Sequence, residues 1–103
     1  MQRRITIHCM TTADFVAQDP SQYGYVYVDG DHSFEGVSRD FAMLGPLVEA
    51  SGMIVFHDVC VEKQTSSGVC GVKRFWQSVD WSGWERLTLP FEAGLGILRR
   101  LSL

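Results

Sequence analysis

Two short apolar runs in this chain each lead directly into acidic and histidine side chains. Residues 25–28 read YVYV and residues 53–56 read MIVF, without alternating polar positions. Runs of this kind predict strands covered on both faces, as in a parallel sheet. The first run leads into Asp29-Gly30-Asp31-His32, and the second leads into His57-Asp58.

The spacing of apolar residues between these runs predicts a helix. Ser33 suits the N-cap position, and steps of three and four residues separate one apolar stripe of Phe34, Val37, Phe41, Leu44 and Val48. Gly45-Pro46 predicts a kink, or a break after which Pro46 restarts a final turn, because proline lacks a backbone donor. Strand, helix and strand within about 35 residues form a βαβ unit with a right-handed crossover.

Shorter elements are predicted on both sides of this unit. In chain order they are a strand at 4–9, a helix over 13–18 capped by Thr11 or Thr12, a loop at 59–71, a helix at 72–79, and strands at 84–89 and 94–100. The last two strands predict an antiparallel hairpin. The fold class predicted is α/β.

Size, charge and cysteine content narrow the functional classes. The 103 residues suffice for one small domain, and the formal net charge of -3 argues against a nucleic-acid partner. No apolar run is long enough to span a bilayer, so we expect no membrane partner. Cys9, Cys60 and Cys70 are odd in number and form no CxxC pair, which favours a reducing, cytoplasmic location.

The polar residues after the two strands are the candidate chemistry. If the strands are neighbours, Asp29 and Asp58 meet in one crevice, about 4.8 Å apart. Two close carboxylates repel, so either one is protonated or a cation lies between them, and Mg²⁺ prefers such oxygen ligands. His32 lies at the mouth of the same crevice and suits a general base. The plainer alternative is that these residues only cap or turn after their strands.

Other metal sites would use some of the same residues. His32, His57 and one aspartate would suit a facial triad for non-haem iron, and the same residues would suit a metal-dependent hydrolase. A zinc site from His57, Cys60 and Cys70 lacks a fourth ligand and matches no standard finger spacing.

The run YVYVDGDHSFEGVSRDFAMLGPLVEASGMIVFHDV resembles the C-terminal half of class I S-adenosylmethionine-dependent methyltransferases. The matching variant ends its fourth strand in Asp-Gly-x-His and its fifth in His-Asp. GVKRFW resembles the helix after that fifth strand, and RITIHCMTTADFV resembles the third strand and the helix after it. The likeness covers about residues 4–100 and extends to metal-dependent O-methyltransferases of the catechol and caffeoyl-CoA type.

The resemblance implies a fold and a site. The fold would be a single partial Rossmann-like methyltransferase domain over residues 1–103, from about the third strand to the last, with parallel strands and a C-terminal antiparallel hairpin, the first two strands being missing. Asp29 and Asp58, with His57, would bind a metal such as Mg²⁺, and His32 replaces the family's lysine base. Val59 stands where those enzymes have an asparagine.

The resemblance also implies S-adenosylmethionine as cofactor and a small-molecule methyl acceptor. Thr11 and Thr12 stand where the family has an acidic residue near the adenine, and Asp29 is the third implied cofactor contact. The chain has no Gly-rich GxGxG turn. We therefore expect a fragment that is inactive alone, that self-associates through an exposed sheet edge, or that is a non-catalytic remnant.

Overall fold

Four strands form the main sheet of the structure, a computed structural model that describes residues 6–19, 21–61, 64–65 and 68–102. The helices are α1 (Thr12–Gln18), α2 (Phe34–Leu44) and α3 (Val72–Ser78), with a 3₁₀ turn at Gly45–Leu47. The strands are β1 (Tyr23–Val28), β2 (Val48–His57), β3 (Gln64–Thr65), β4 (Gly68–Val69), β5 (Trp84–Leu89) and β6 (Leu95–Arg100). None of the helices described here is long and apolar enough to cross a membrane.

The strand order in the main sheet is β1-β2-β6-β5. β1 runs parallel to β2, whereas β6 pairs antiparallel with both β2 and β5. The predicted βαβ unit and C-terminal hairpin are therefore confirmed. Val28 pairs with Phe56 at the carboxyl ends of β1 and β2, and both side chains are buried. This register brings the residues that follow the two strands to one edge of the sheet.

Helix α2 begins as predicted and ends earlier than its apolar stripe suggests. The Ser33 hydroxyl accepts a 3.0 Å hydrogen bond from the amide of Gly36, which satisfies one free donor of the first turn. The helix breaks at Gly45-Pro46. The 3₁₀ turn at Gly45–Leu47 is the final turn that was predicted to follow such a break. Val48, expected on the helix stripe, is instead the first residue of β2, because its backbone is already extended after the turn.

The strand predicted at residues 4–9 is not found among the described residues. Residues 6–9 have no regular structure, while residues 4 and 5 lie outside the described ranges. A strand needs a partner for its backbone hydrogen bonds, and no described strand pairs with this segment. The helix after it is confirmed as α1, with Thr11 as its N-cap.

The core lies on one face of the sheet, between the strands and helices α2 and α3. Its fully buried large side chains include Ile54, Phe56 and Leu98 of the sheet and Phe75 of α3. Phe41 of α2 joins them through edge and tilted ring contacts, with centroids 5.6–5.9 Å from four neighbouring aromatic rings. Burial of each such side chain contributes about 1.5–3 kcal/mol, so this cluster fixes α2 and α3 against the strands.

The opposite face of the sheet carries an apolar row that runs across all four strands. Pairing register places Tyr27 beside Val55, Val55 beside Ile97, and Ile97 beside Leu87. Cross-strand partners point to the same face. Tyr27 is 47% exposed and Leu87 is 55% exposed, so this face presents apolar surface to solvent.

Candidate functional site

Four polar side chains meet where β1 and β2 end. Asp29 follows β1 directly and His32 comes three residues later, whereas His57 is the last residue of β2 and Asp58 follows it. Because the two strands are parallel neighbours, both tips lie at the same edge. The contacts bring Asp29, Asp58 and His32 together at this edge, as predicted, and their functional roles stay a prediction.

Each imidazole lies within 4 Å of both carboxylates. His32 Nε2 is 2.7 Å from Asp58 Oδ2 and 3.5 Å from Asp29 Oδ1. His57 Nδ1 is 3.0 Å from Asp58 Oδ1 and 3.7 Å from Asp29 Oδ1. Asp58 is the most buried of the four, with 16% of its side chain exposed against 38–46% for the others. Asp58 is therefore the shared centre of the cluster.

The two imidazole nitrogens that face the carboxylates lack well-oriented hydrogen-bond partners among the described residues. His32 Nε2 and His57 Nδ1 are both shielded from solvent, yet neither forms a hydrogen bond of normal geometry with any described residue, despite the short distances. A buried polar atom without a partner loses its hydration without replacement. An ion between the carboxylates and these nitrogens would satisfy them, because imidazole nitrogen and carboxylate oxygen are ordinary ligands of divalent cations.

A single ion fits the spacing of three of these residues. Among the described residues, donor atoms of Asp29, His32 and Asp58 all lie within 4.8 Å of one another. Metal–ligand bonds of about 2.0–2.6 Å allow such spacing around one centre. This set has two carboxylates and one histidine, whereas the two-histidine triad of non-haem iron sites would use His57 in place of one acid. The oxygen-rich set favours a hard cation such as Mg²⁺ or Mn²⁺.

The other acid of the Asp-Gly-Asp turn has a structural role. The Asp31 carboxylate accepts a 2.9 Å hydrogen bond from the amide of Ser33, and this bond lowers the pKa of Asp31 below its ordinary value. A Cβ atom added at Gly36 would lie 2.3 Å from Asp31 Cγ, so glycine is needed where the helix passes this side chain. Asp31 fixes the start of α2 and thereby the position of His32.

The backbone at Asp58 is held in an uncommon conformation by the β5–β6 turn. Asp58 has φ 67°, in the left-handed region, and its amide donates a 3.0 Å hydrogen bond to the carbonyl of Gly94. The amide of Cys60 donates to the carbonyl of Ala93 at 2.9 Å. The sequence patterns do not predict this support of the site by Gly94. Its only local signal is a glycine in the hairpin connection.

A second glycine joins His32 to helix α3. The amide of Gly71 donates a 2.6 Å hydrogen bond to the carbonyl of His32. A Cβ atom at Gly71 would lie 2.3 Å from the backbone nitrogen of Phe34, so no larger residue fits without backbone movement. No local pattern in the sequence indicates this contact, because the two segments are adjacent only in the folded chain.

The remaining predicted site residues lie elsewhere. The Thr11 hydroxyl accepts a 3.1 Å hydrogen bond from Asp14 as the cap of α1, and Thr12 is the first residue of that helix. Their contact with a cofactor stays a prediction. Cys70 is a free, buried core residue and Cys60 is a free thiol. Among the described residues the candidate metal cluster contains neither cysteine, so the zinc hypothesis finds no support.

The fold and the site define an α/β protein whose polar cluster lies at the carboxyl ends of parallel strands, where open α/β sheets bind ligands. A family model described as a methyltransferase domain matches residues 1–59. Since this match covers more than half of the chain, the chain belongs to that methyltransferase family. The predicted resemblance to class I methyltransferases is thereby confirmed, and S-adenosylmethionine is the usual cofactor of such families.

One solved structure has a fold similar to that of this chain. A crystal structure of a Corynebacterium glutamicum protein is similar with a TM-score of 0.65 and 16% sequence identity. The similarity covers 91% of this chain and 46% of that protein, so this chain spans under half the length of its neighbour. No curated protein matches the sequence.

Proposed function

We propose that this chain carries the cation and acceptor half of an S-adenosylmethionine-dependent O-methyltransferase that acts on a small molecule. The observation that supports this proposal most directly is the position of His32 Nε2 against Asp58 and Asp29 at the tips of two parallel strands. A general base beside a carboxylate pair suits removal of a hydroxyl proton as a methyl group is transferred to its oxygen.

Asp29 and Asp58, with His57, are the residues that would hold a divalent cation in this proposal. Oxygen atoms of both carboxylates lie within 3.7 Å of His57 Nδ1, so in this proposal His57 replaces the His32 of the three-residue set described above, and His32 is left to act as the base. A bound cation would lower the pKa of the acceptor hydroxyl. It would also offset the repulsion between the two carboxylates.

His32 is the residue we propose to take the acceptor proton. Its Nε2 lies 2.7 Å from Asp58 Oδ2, so the negative charge of this carboxylate would stabilise the imidazolium that forms. Proton uptake would then fall to Nδ1, the other ring nitrogen. If Nε2 is instead a cation ligand, His32 cannot serve as the base in this way. The two roles make different predictions for cation binding.

Binding of Mn²⁺ to the purified chain, followed by electron paramagnetic resonance, tests the site. Asp58→Asn and Asp29→Asn should each weaken Mn²⁺ binding at least about tenfold through loss of a charged ligand. Asp80→Asn is the matched control, because Asp80 is an exposed acid that hydrogen-bonds Ser82 away from the site. Equal Mn²⁺ binding by all three variants would overturn the cation proposal.

The His32→Ala variant separates the two roles of this residue. If His32 is the base, Mn²⁺ binding to His32→Ala stays near the unmodified level, whereas a ligand role predicts its loss. Turnover is best measured in a longer relative that carries this half together with a Gly-rich cofactor turn. There His32→Ala should lower kcat by about 10²–10⁴-fold with little change in cofactor affinity. Near-normal turnover would show that the base lies elsewhere.

We also propose a cytoplasmic location, on the basis of cysteine chemistry. Cys9, Cys60 and Cys70 are all free thiols in the structure, which suits a reducing compartment.

A further inference from the structure

The turn that joins β5 to β6, residues 90–94, lies beside the end of β2. Because β6 runs antiparallel to β2, the residues that precede β6 are adjacent to the residues that follow β2. The amide of Asp58 donates a 3.0 Å hydrogen bond to the carbonyl of Gly94. The amide of Cys60 donates a 2.9 Å hydrogen bond to the carbonyl of Ala93. The turn therefore holds the backbone at Asp58, the most buried member of the polar cluster.

The conformation of Asp58 depends on these backbone contacts. Its φ of 67° lies in the left-handed region, where residues with a Cβ atom are uncommon. Gly94 holds its amide, and its carbonyl accepts a 3.2 Å hydrogen bond from the amide of Val61. A return of φ to negative values would turn the Cα–Cβ bond. The carboxylate oxygens would then leave His32 Nε2 and His57 Nδ1, which lie 2.7 and 3.0 Å away.

Gly94 sets the distance between the turn and this backbone. Its amide donates a 2.8 Å hydrogen bond to the carbonyl of Phe91, and its φ is 87°, a value that suits glycine. A Cβ atom added at Gly94 would lie 2.5 Å from Cys60 Sγ and 3.0 Å from the Cys60 backbone nitrogen. A side chain at this position therefore pushes the turn away from the backbone that carries Asp58.

Other parts of the fold hold the remaining members of the cluster. Asp29 follows β1 directly. The carbonyl of His32 accepts its hydrogen bond from Gly71, and His57 is still part of β2. A change in the turn therefore acts on Asp58 more than on the rest of the cluster.

We propose that the β5–β6 turn positions the Asp58 carboxylate for a divalent cation, with Gly94 as the positioning residue. This role rests on the proposed function, which supplies the cation. A carboxylate contributes to cation affinity when its oxygens point at the ion, so the backbone that directs them contributes as well. The coupling is reciprocal: a turn that favours cation binding is itself stabilised, by the same factor, when the cation is bound.

Titration with Mn²⁺, followed by electron paramagnetic resonance, compares the unmodified chain with two glycine variants. Gly94→Ala should raise the Mn²⁺ dissociation constant at least about tenfold, because it displaces a charged ligand. Gly83→Ala is the matched control and should leave the constant unchanged, since Gly83 shares a positive φ of 86° but a Cβ atom there meets no described atom within 4 Å. Circular dichroism gives the folded fraction of each variant, to which the binding is referred. A purely structural role would lower that fraction without changing the affinity of folded molecules.

Failure of this role and failure of the proposed function give different results. If the unmodified chain does not bind Mn²⁺, the cation site is refuted, and the role of the turn is refuted with it. If the unmodified chain binds Mn²⁺ and folded Gly94→Ala binds it equally well, only the role of the turn is overturned.

Hydrogen exchange of the unmodified chain tests the same coupling without a substitution. Saturating Mg²⁺ should slow exchange of the Asp58 and Cys60 amides at least about threefold relative to chelator, since the bound cation stabilises the turn. The amide of Leu101 is the control, because it donates a 3.0 Å hydrogen bond to the carbonyl of Gly83 at the opposite end of the β5–β6 hairpin. Unchanged exchange at Asp58 and Cys60, or equal slowing at Leu101, would overturn the proposal.

Discussion

The Nε2 atom of His32 lies 2.7 Å from Oδ2 of Asp58, although one residue follows β1 and the other follows β2. Parallel pairing of the two strands creates this contact, since Val28 and Phe56 are register partners one or two residues before the acids. Helix α2 and the Gly71 hydrogen bond then hold the His32 backbone. The cluster is thus a product of strand register and of the helix that connects the strands.

Two substitutions at Asp58 should separate backbone strain from charge. At pH 8 in chelator, Asp58→Asn should keep or raise the free energy of unfolding, because it removes carboxylate repulsion and asparagine tolerates the left-handed φ of 67°. Asp58→Ala should be about 1 kcal/mol less stable than Asp58→Asn, because alanine disfavours that conformation. Urea denaturation measures both. Equal stability of the two variants would show that the left-handed backbone adds no strain.

Gly94 should be required for the loop that holds Asp58. Gly94→Ala places a Cβ atom 2.5 Å from Cys60 Sγ at φ 87°, so both overpacking and backbone strain result. Gly83→Ala shares a positive φ of 86° but meets no atom within 4 Å. We expect Gly94→Ala to lose about 1–3 kcal/mol more unfolding free energy than Gly83→Ala in urea. A difference near zero would mean that the Gly94 loop moves freely away from Cys60.

The isolated chain should bind S-adenosylmethionine weakly or not at all, because its sequence has no Gly-rich turn to hold the cofactor. Isothermal titration calorimetry with the purified chain measures this directly. A dissociation constant in the low micromolar range, roughly -8 kcal/mol, would contradict the prediction and show that this half suffices for cofactor binding.

The apolar row on the open sheet face should promote self-association with a second copy of the chain. Tyr27→Lys and Leu87→Lys each place a charge in this row and should shift the chain toward monomer in sedimentation velocity experiments. Phe91→Lys is the control, because Phe91 is 77% exposed in the β5–β6 turn, outside the row. A concentration-independent monomer before any substitution would refute association by this face.

Lowering the pH should destabilise the start of α2, because the Asp31 carboxylate becomes protonated. The folded-state pKa of Asp31 is lowered, chiefly by the hydrogen bond from the Ser33 amide, so its ionised form stabilises the fold. That contribution is present above the ordinary value of about 4 and is lost as the pH falls through the lower folded value. Asp31→Asn should therefore lower unfolding free energy near neutral pH, and the deficit should shrink below about pH 4. If Asp31→Asn lowers the unfolding free energy equally at all pH values, the loss does not come from the charge of Asp31.

The sequence by itself determined β1, α2 and the end of β2, and it indicated the acids and histidines of the candidate site, whereas the strand predicted at residues 4–9 is not found among the described residues. Uninterrupted apolar runs defined β1 and the end of β2, a three-four spacing with Ser33 in front defined α2, and Pro46 set its break. These features depend on near neighbours in the chain, so the local sequence contains all the information that they require. The acids and histidines at both strand tips are likewise apparent from the order of residues alone.

Only the tertiary structure decided how those residues meet and what supports them. Segments distant in the chain contribute Gly71 behind His32 and Gly94 behind Asp58, and neither contact leaves a local pattern. Within Asp-Gly-Asp, the sequence predicted that Asp29 meets Asp58, and the tertiary structure shows what separates it from Asp31. Asp31 turns back to Ser33 while Asp29 faces the cluster, because the hydrogen bond that begins α2 fixes one side chain and strand register fixes the other.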